Sequence, residues 1–195
     1  MSGLLLAAFP PELGDLLAAP PAGWTVAATG LGAVSAAAES ARLIAWEKPD
    51  RVLFLGTCGA YDDRLRVGEL LSVSEAIATS LEEREGRAYR PEAERVRWSS
   101  TWVLPLPAHG VAVPPAITCS AGGARALAGV APAEHLELTG VFAACHAAGV
   151  RVAAALAVAN RVGPEAHREW LANHARVSAA LIEALRAAGV LGGCR

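Results

Sequence analysis

Short apolar runs and amphipathic stretches take turns along this chain. Residues 4–8 form an apolar run of strand length, and Pro10-Pro11-Glu12 then opens a segment, 12–19, that reads as a helix started by prolines and an acid. Trp24–Ala28 reads as a second strand. It runs into Thr29-Gly30-Leu31-Gly32-Ala33-Val34-Ser35, after which the Ala-rich segment 36–46 is helical until Pro49-Asp50 stops it. A third strand, 52–55, ends abruptly at the turn Gly56-Thr57-Cys58-Gly59-Ala60. Residues 81–102 are charged and read as an exposed loop or hairpin, continued by the Pro-rich section 105–115. Residues 116–119 suggest a further strand. Leu138–Ala148 reads as a helix ending at Gly149, 150–158 as a continuous apolar strand, and 165–188 as an amphipathic helix capped by Gly189. Strands alternating with helices predict right-handed βαβ units. The expected fold is a single α/β domain over residues 1–195, three layers α/β/α around a central mixed, mostly parallel sheet, with a ligand cleft at the carboxyl ends of the strands.

Composition narrows this picture. A chain of 195 residues suits one core, and 53% hydrophobic residues with only 5% aromatic favour close-packed helices and buried parallel strands over a β-sandwich. Lys plus Arg number 17 against 19 Asp plus Glu, so no basic excess is present to neutralise a phosphate backbone, and nucleic acid is not an expected partner. Cys58, Cys119, Cys145 and Cys194 lie far apart with no CxxC pair, which reads as reduced thiols in a cytoplasmic protein. The run 4–9 lacks a basic flank and is cut by Pro10-Pro11, which argues against a signal peptide. No apolar run reaches the roughly 18 residues needed to span a bilayer, so no membrane partner is expected.

A buried strand ending in small residues brings backbone N–H groups and a hydroxyl to whatever binds there. That makes Thr57, Cys58 and Gly59, with Gly30 beside them, candidates for a small polar ligand. The pattern GTCGA followed by Arg66-Val67-Gly68-Glu69-Leu70 resembles the nucleoside phosphorylase and nucleosidase superfamily. So, in order, do residues 7–13, the glycine segment 30–36 and residues 137–160, and the resemblance covers the chain almost end to end. A nicotinamide site at Gly30-Leu31-Gly32 is poorly supported, since a third glycine at dinucleotide spacing is missing. The plain alternative is that these glycines turn a strand into a helix.

The resemblance implies cleavage of the N-glycosidic bond of a purine-type nucleoside through an oxocarbenium-like sugar, with no cofactor and no metal. It implies a homo-oligomer as well. Glu12 lies where nucleosidases carry the carboxylate that activates water; a Glu in a first helical turn can also simply stabilise the N-terminus. Thr57 lies where the family faces phosphate or the nucleophilic water, the alternative being a turn hydroxyl bonded to its own backbone. Family members read Met-Glu where the Glu grips the ribose hydroxyls. Here the pair is matched to Leu138-Thr139, with Glu137 just before, and ribose binding is expected to be weaker because Thr cannot accept two bonds as a carboxylate does. Base contacts are expected at Thr118, Cys119 and Ser120.

Two departures refine the expected chemistry. Phe54 stands where hexameric phosphorylases carry an Arg near the phosphate, so hydrolysis is favoured over phosphorolysis. Asn160 stands where many members carry the Asp that protonates the purine, and an Asn has no proton to give. Asn160-Arg161-Val162-Gly163 with Trp170 resembles instead the futalosine hydrolases of menaquinone biosynthesis. Leu156 and Ala159 replace the usual Arg and Ser, which leaves open an inactive or repurposed nucleoside-binding relative, a phosphorylase, or a purely structural protein. Cys145-His146 reads as a buried thiol beside a partly exposed imidazole, and His167 and His174 as part of a solvated helix face, not a metal pair.

Overall fold

The computed structural model describes residues 2–192. In chain order it runs through strand β1 (Gly3–Ala7), a 3-10 segment (Pro10–Leu17), β2 (Trp24–Ala28), helix α1 (Ala33–Glu47), β3 (Arg51–Ala60) and β4 (Leu70–Ala78). Helix α2 (Leu81–Arg84), β5 (Arg97–Ser99), β6 (Ala108–Val113), α3 (Ala121–Ala128), β7 (Ala133–Glu134), α4 (Leu138–Ala148), β8 (Arg151–Arg161) and α5 (Ala166–Ala187) complete it. The eight strands form one mixed sheet. Pairs β1–β2, β1–β3, β3–β8, β4–β6 and β6–β7 are parallel, whereas β3–β7, β4–β5 and β4–β8 are antiparallel. Followed pair by pair, β3–β8–β4–β6–β7 returns to β3, so this end of the sheet closes on itself.

Strand alternation separates two cores. Leu4, Leu6, Val52, Phe54, Val152, Leu156 and Val158 face α1 and α4, meeting Leu43, Ile44, Val141 and Phe142. Leu5, Leu53, Leu55 and the alanines 153, 155, 157 and 159 face the other way, toward Val177, Leu181, Ile182 and Leu185 of α5. Large residues on one face of β8 and alanines on the other let α5 lie close to the strand. Burial on both faces explains why β3 and β8 read as unbroken apolar runs. These layers are the expected α/β/α arrangement. Helices α1 and α4 touch at Gly140, where an added Cβ would stand 2.0 Å from the Ala33 carbonyl oxygen and 2.9 Å from Ala37 N.

Several elements differ from expectation. The strand read as 52–55 continues through GTCGA to Ala60, so this motif is not a turn; a bulge between Cys58 and Gly59 shifts its register against β8. The helix expected over 12–19 is a 3-10 segment, broken by non-helical backbone at Gly14. Residues 116–119 form no strand; they lead into α3, whose first turn is capped by Ser120. Strand β5 lies within the charged segment read as loop or hairpin, β6 within the Pro-rich section, and β4 covers residues to which the sequence pattern assigned no element. Cys194 lies outside the described residues, and Cys58, Cys119 and Cys145 are free thiols. Among the described residues no helix is long and apolar enough to cross a membrane.

Because the obstacle at Gly140 is backbone, Gly140→Ala should destabilise the protein by about 3 kcal/mol or more in urea unfolding. Gly122→Ala, where an added Cβ meets nothing within 4 Å, should be neutral or stabilising by up to about 1 kcal/mol.

Candidate active site

The carboxyl ends of β1, β3, β7 and β8 open into a cavity of about 370 Å³ whose walls include Phe9, Glu12, Thr57, Glu134, Glu137, Asn160 and Trp170. Glu12 reaches it because Pro10 and Pro11 start a tight segment directly after β1, turning the chain across the end of the sheet. Its carboxylate is buried, 4% exposed. Oε1 accepts from both the backbone N–H and the hydroxyl of Thr57, each at 2.8 Å. Oε2 is buried with no hydrogen-bond partner among the described residues. Burial, aided by the nearby Glu137 charge and opposed by the Thr57 bonds and by the neighbouring Ala8 N–H, raises its pKa from 4.5 to about 7. The same burial pushes the Cys58 thiol up, so it stays protonated beside Thr57.

Thr57 receives a second bond. The indole Nε1–H of Trp170, on the first turns of α5, donates to Thr57 Oγ1 at 3.0 Å. Trp170 is packed between near-parallel rings, His174 at 4.2 Å and His167 at 6.1 Å between centroids, with Phe9 tilted at 5.8 Å.

Two further carboxylates face the cavity. Glu137, at the start of α4, accepts from the Gly32 N–H at 2.7 Å, which links the glycine segment to this helix. Its own N–H donates to His135 Nδ1 at 3.1 Å, and burial holds the His135 pKa below its ordinary value. Glu134 accepts from the Tyr61 hydroxyl at 2.7 Å and from the Thr118 hydroxyl and N–H at 2.5 and 3.1 Å. Burial and the adjacent Glu134 push the Tyr61 phenol up, which keeps it a donor. Asn160 donates from Nδ2 to the Arg161 carbonyl at 2.9 Å. Gly59 makes room for it: a Cβ there would stand 3.0 Å from Asn160 Nδ2 and 2.7 Å from Val162 Cγ2. Among the described residues no Arg or Lys lines the cavity.

Of the residues singled out from sequence, the fold gathers Glu12, Thr57, Cys58, Gly59, Glu137 and Asn160 around this one cavity. Gly30 stays behind it, its N–H donating to Ala8 O at 2.9 Å. Leu138 is wholly buried in the core and Thr139 is buried on α4, and neither lines the cavity. Leu136 and Glu137 do line it. Of the three residues expected to meet a ribose, Glu137 alone brings its carboxylate to the cavity.

Thr118 is turned away onto Glu134, Cys119 is exposed with Sγ 3.4 Å from Ile117 O, and Ser120 caps α3 by accepting from Gly123 N at 3.0 Å. All three lie outside the lining because this segment is a helix approach and not a strand; its neighbour Ile117 lines the cavity instead. Glu134 and His135 were not found from sequence, although a pair of carboxylates three apart just before a helix was a usable signal. His167, read as solvated, lines the cavity mouth. Cys145 is buried and its thiol is pushed up to about 12, which suits a core residue and not a nucleophile.

The raised Glu12 pKa fixes the sign of a stability effect. Below pH 4.5 the carboxyl is protonated in folded and unfolded chains alike; between 4.5 and about 7 the unfolded chain loses the proton first, so stability falls as pH rises. Glu12→Gln removes this penalty while its amide oxygen still accepts from Thr57. Its unfolding free energy in urea should match wild type below pH 4.5 and exceed it increasingly up to about pH 7, by up to about 3 kcal/mol.

The family model described as the phosphorylase superfamily matches residues 22–188. Among solved structures, a futalosine hydrolase mutant of Helicobacter pylori strain 26695 is similar with a TM-score of 0.82 at 16% identity, over 96% of this chain and 98% of that one. A 5'-methylthioadenosine/S-adenosylhomocysteine nucleosidase from Helicobacter pylori, in complex with butyl-thio-DADMe-Immucillin-A, has a TM-score of 0.83 at 15% identity, over 96% and 97%. The corresponding nucleosidase of S. pneumoniae, with the transition-state inhibitor MT-ImmA, has 0.82 at 15%, over 96% and 98%. No curated protein matches the chain. At these identities the structural likeness is one of fold, and the family model supplies the rest: the chain belongs to the phosphorylase superfamily.

Proposed function

We propose that this protein hydrolyses the N-glycosidic bond of a purine-type nucleoside. The observation that carries the reading is Glu12, a buried carboxylate with one oxygen held by Thr57, the other unpartnered, and a pKa of about 7. A general base works best with a pKa near the operating pH. Glu12 takes a proton from water as the hydroxide adds to C1′ of the ribose; the C1′–N bond breaks with its electron pair going to the base, which takes its proton from solvent water. Glu137, in the same cavity, grips the ribose hydroxyls. Asn160, with Nδ2 already committed to Arg161 O, offers the base an acceptor and cannot supply that proton. Three carboxylates, with no cation among the described lining residues, repel a phosphate nucleophile, which supports water over phosphorolysis.

Futalosine is the nucleoside we place first, on the resemblance of Asn160, Val162 and Trp170 to futalosine hydrolases; this implies a cytoplasmic enzyme of menaquinone biosynthesis. Exposed Leu31, Val34 and Ile117, two of them lining the cavity, support a homo-oligomer. One observation favours a second reading, an inactive nucleoside binder. Leu156 and Ala159, where relatives carry Arg and Ser, are fully buried and apolar.

Incubation with a nucleoside panel that includes futalosine and 5'-methylthioadenosine should release free base and free sugar, at a rate independent of added phosphate. Ribose 1-phosphate as the product would make it a phosphorylase, and thermal stabilisation without turnover would select the binder. The rate should fall below about pH 7 as Glu12 becomes protonated, and Glu12→Gln should lose about 100-fold or more. Glu137→Ala should weaken ribose binding, read as a KM raised by about tenfold or more.

A further inference from the structure

We propose that Trp170 is a positioning residue: its indole N–H directs the Thr57 hydroxyl proton onto Oε1 of Glu12 and reserves Oε2 as the oxygen that takes the proton from water. An indole N–H can only donate. With Trp170 Nε1 at 3.0 Å from Thr57 Oγ1, that side of the hydroxyl must accept, and the hydroxyl's own hydrogen is sent to Glu12 Oε1 at 2.8 Å. The Thr57 N–H occupies the same carboxylate oxygen at 2.8 Å. Both donors therefore converge on one oxygen, and the buried Oε2 is left with no partner among the described residues. Without the indole donor the hydroxyl is free to rotate. Part of the support for the ionised carboxylate is then lost and its two oxygens are no longer distinguished.

The order in the chain makes this a long-range device. Glu12 follows β1, Thr57 sits within β3, and Trp170 lies on α5, 113 residues beyond Thr57. The indole is locked in place by Phe9 and by the two imidazoles stacked on it, so the donor direction is set by packing. The titratable groups facing the relay are Glu137 and Cys58 near Glu12, His135 behind Glu137, and His167 and His174 on the faces of Trp170. Trp170→Phe leaves all five in place and keeps an aromatic ring against Phe9 and His174 while deleting the donor.

The assignment rests on the nucleosidase reading for its catalytic meaning, but its test does not need turnover. The Glu12 carboxyl carbon is followed by NMR as pH is raised, in the protein without ligand. Trp170→Phe and Thr57→Val should each move the Glu12 midpoint upward, Thr57→Val by about one pH unit or more and Trp170→Phe by less, while Thr57→Ser should retain the wild-type midpoint. In the wild-type protein the Trp170 indole N–H resonance should shift with the same midpoint as the Glu12 carboxyl carbon. That measurement decides the matter even if Trp170→Phe does not fold. An unchanged Glu12 midpoint in folded Trp170→Phe, or an indole resonance indifferent to Glu12, overturns the proposal. Where a nucleoside is turned over, the acidic limb of the Trp170→Phe pH–rate profile should move upward with the carboxyl midpoint. Absence of turnover in the wild type removes the nucleosidase reading and leaves the relay to the NMR titration.

Discussion

A carboxylate kept out of water must be held by donors, and much of this cavity is arranged to hold Glu12. Two bonds from Thr57 offset part of the burial cost and tie the segment after β1 to the end of β3. Trp170 extends the tie to α5. Parallel pairing of β1 with β3 and of β3 with β8 is what makes this possible, because it delivers successive strand ends, with the loops that follow them, to the same edge of the sheet.

The other carboxylates obey the same constraint by other means. Glu137 is held by a backbone N–H from the glycine segment, Glu134 by a phenol, a hydroxyl and a backbone N–H. In each case the donors are neutral groups, and among the described residues no Arg or Lys lines the cavity. Such a site suits a cationic, oxocarbenium-like sugar in the transition state better than an anionic nucleophile.

Elements bounded by strong local signals were readable in advance. Trp24–Ala28 and Leu138–Ala148 match because each is closed by glycine or proline neighbours and filled with residues of one period. Strand β4 escaped because Ser72, Ser74 and Glu75 interrupt its apolar pattern, and β6 because prolines flank it; their identity as strands depends on pairing with each other and, for β4, with β8. Helix α3 was hidden by Gly122 and Gly123, poor helix formers that tolerate the helix once Ser120 caps it. Glu12 and Thr57 were legible as candidates from their place after strands. Leu138 and Thr139 lie outside the cavity lining while Glu137 lines it, because matching a two-residue pattern leaves the register open and burial of the helix face decides which side chain reaches the cavity.

Hydrophobic period and breaker residues settled the α/β class, the layering and the end of the sheet where a ligand belongs, because those follow from which faces are apolar along each short segment. Which polar atoms meet was decided by the fold alone. Glu12, Thr57, Glu137 and Trp170 are scattered from the loop after the first strand to the last helix, and no local pattern encodes that an indole, a hydroxyl and a carboxylate are joined by successive hydrogen bonds. Their bonds exist because parallel crossovers bring distant strand ends together, where burial makes each polar group's choice of partner costly to leave unmade.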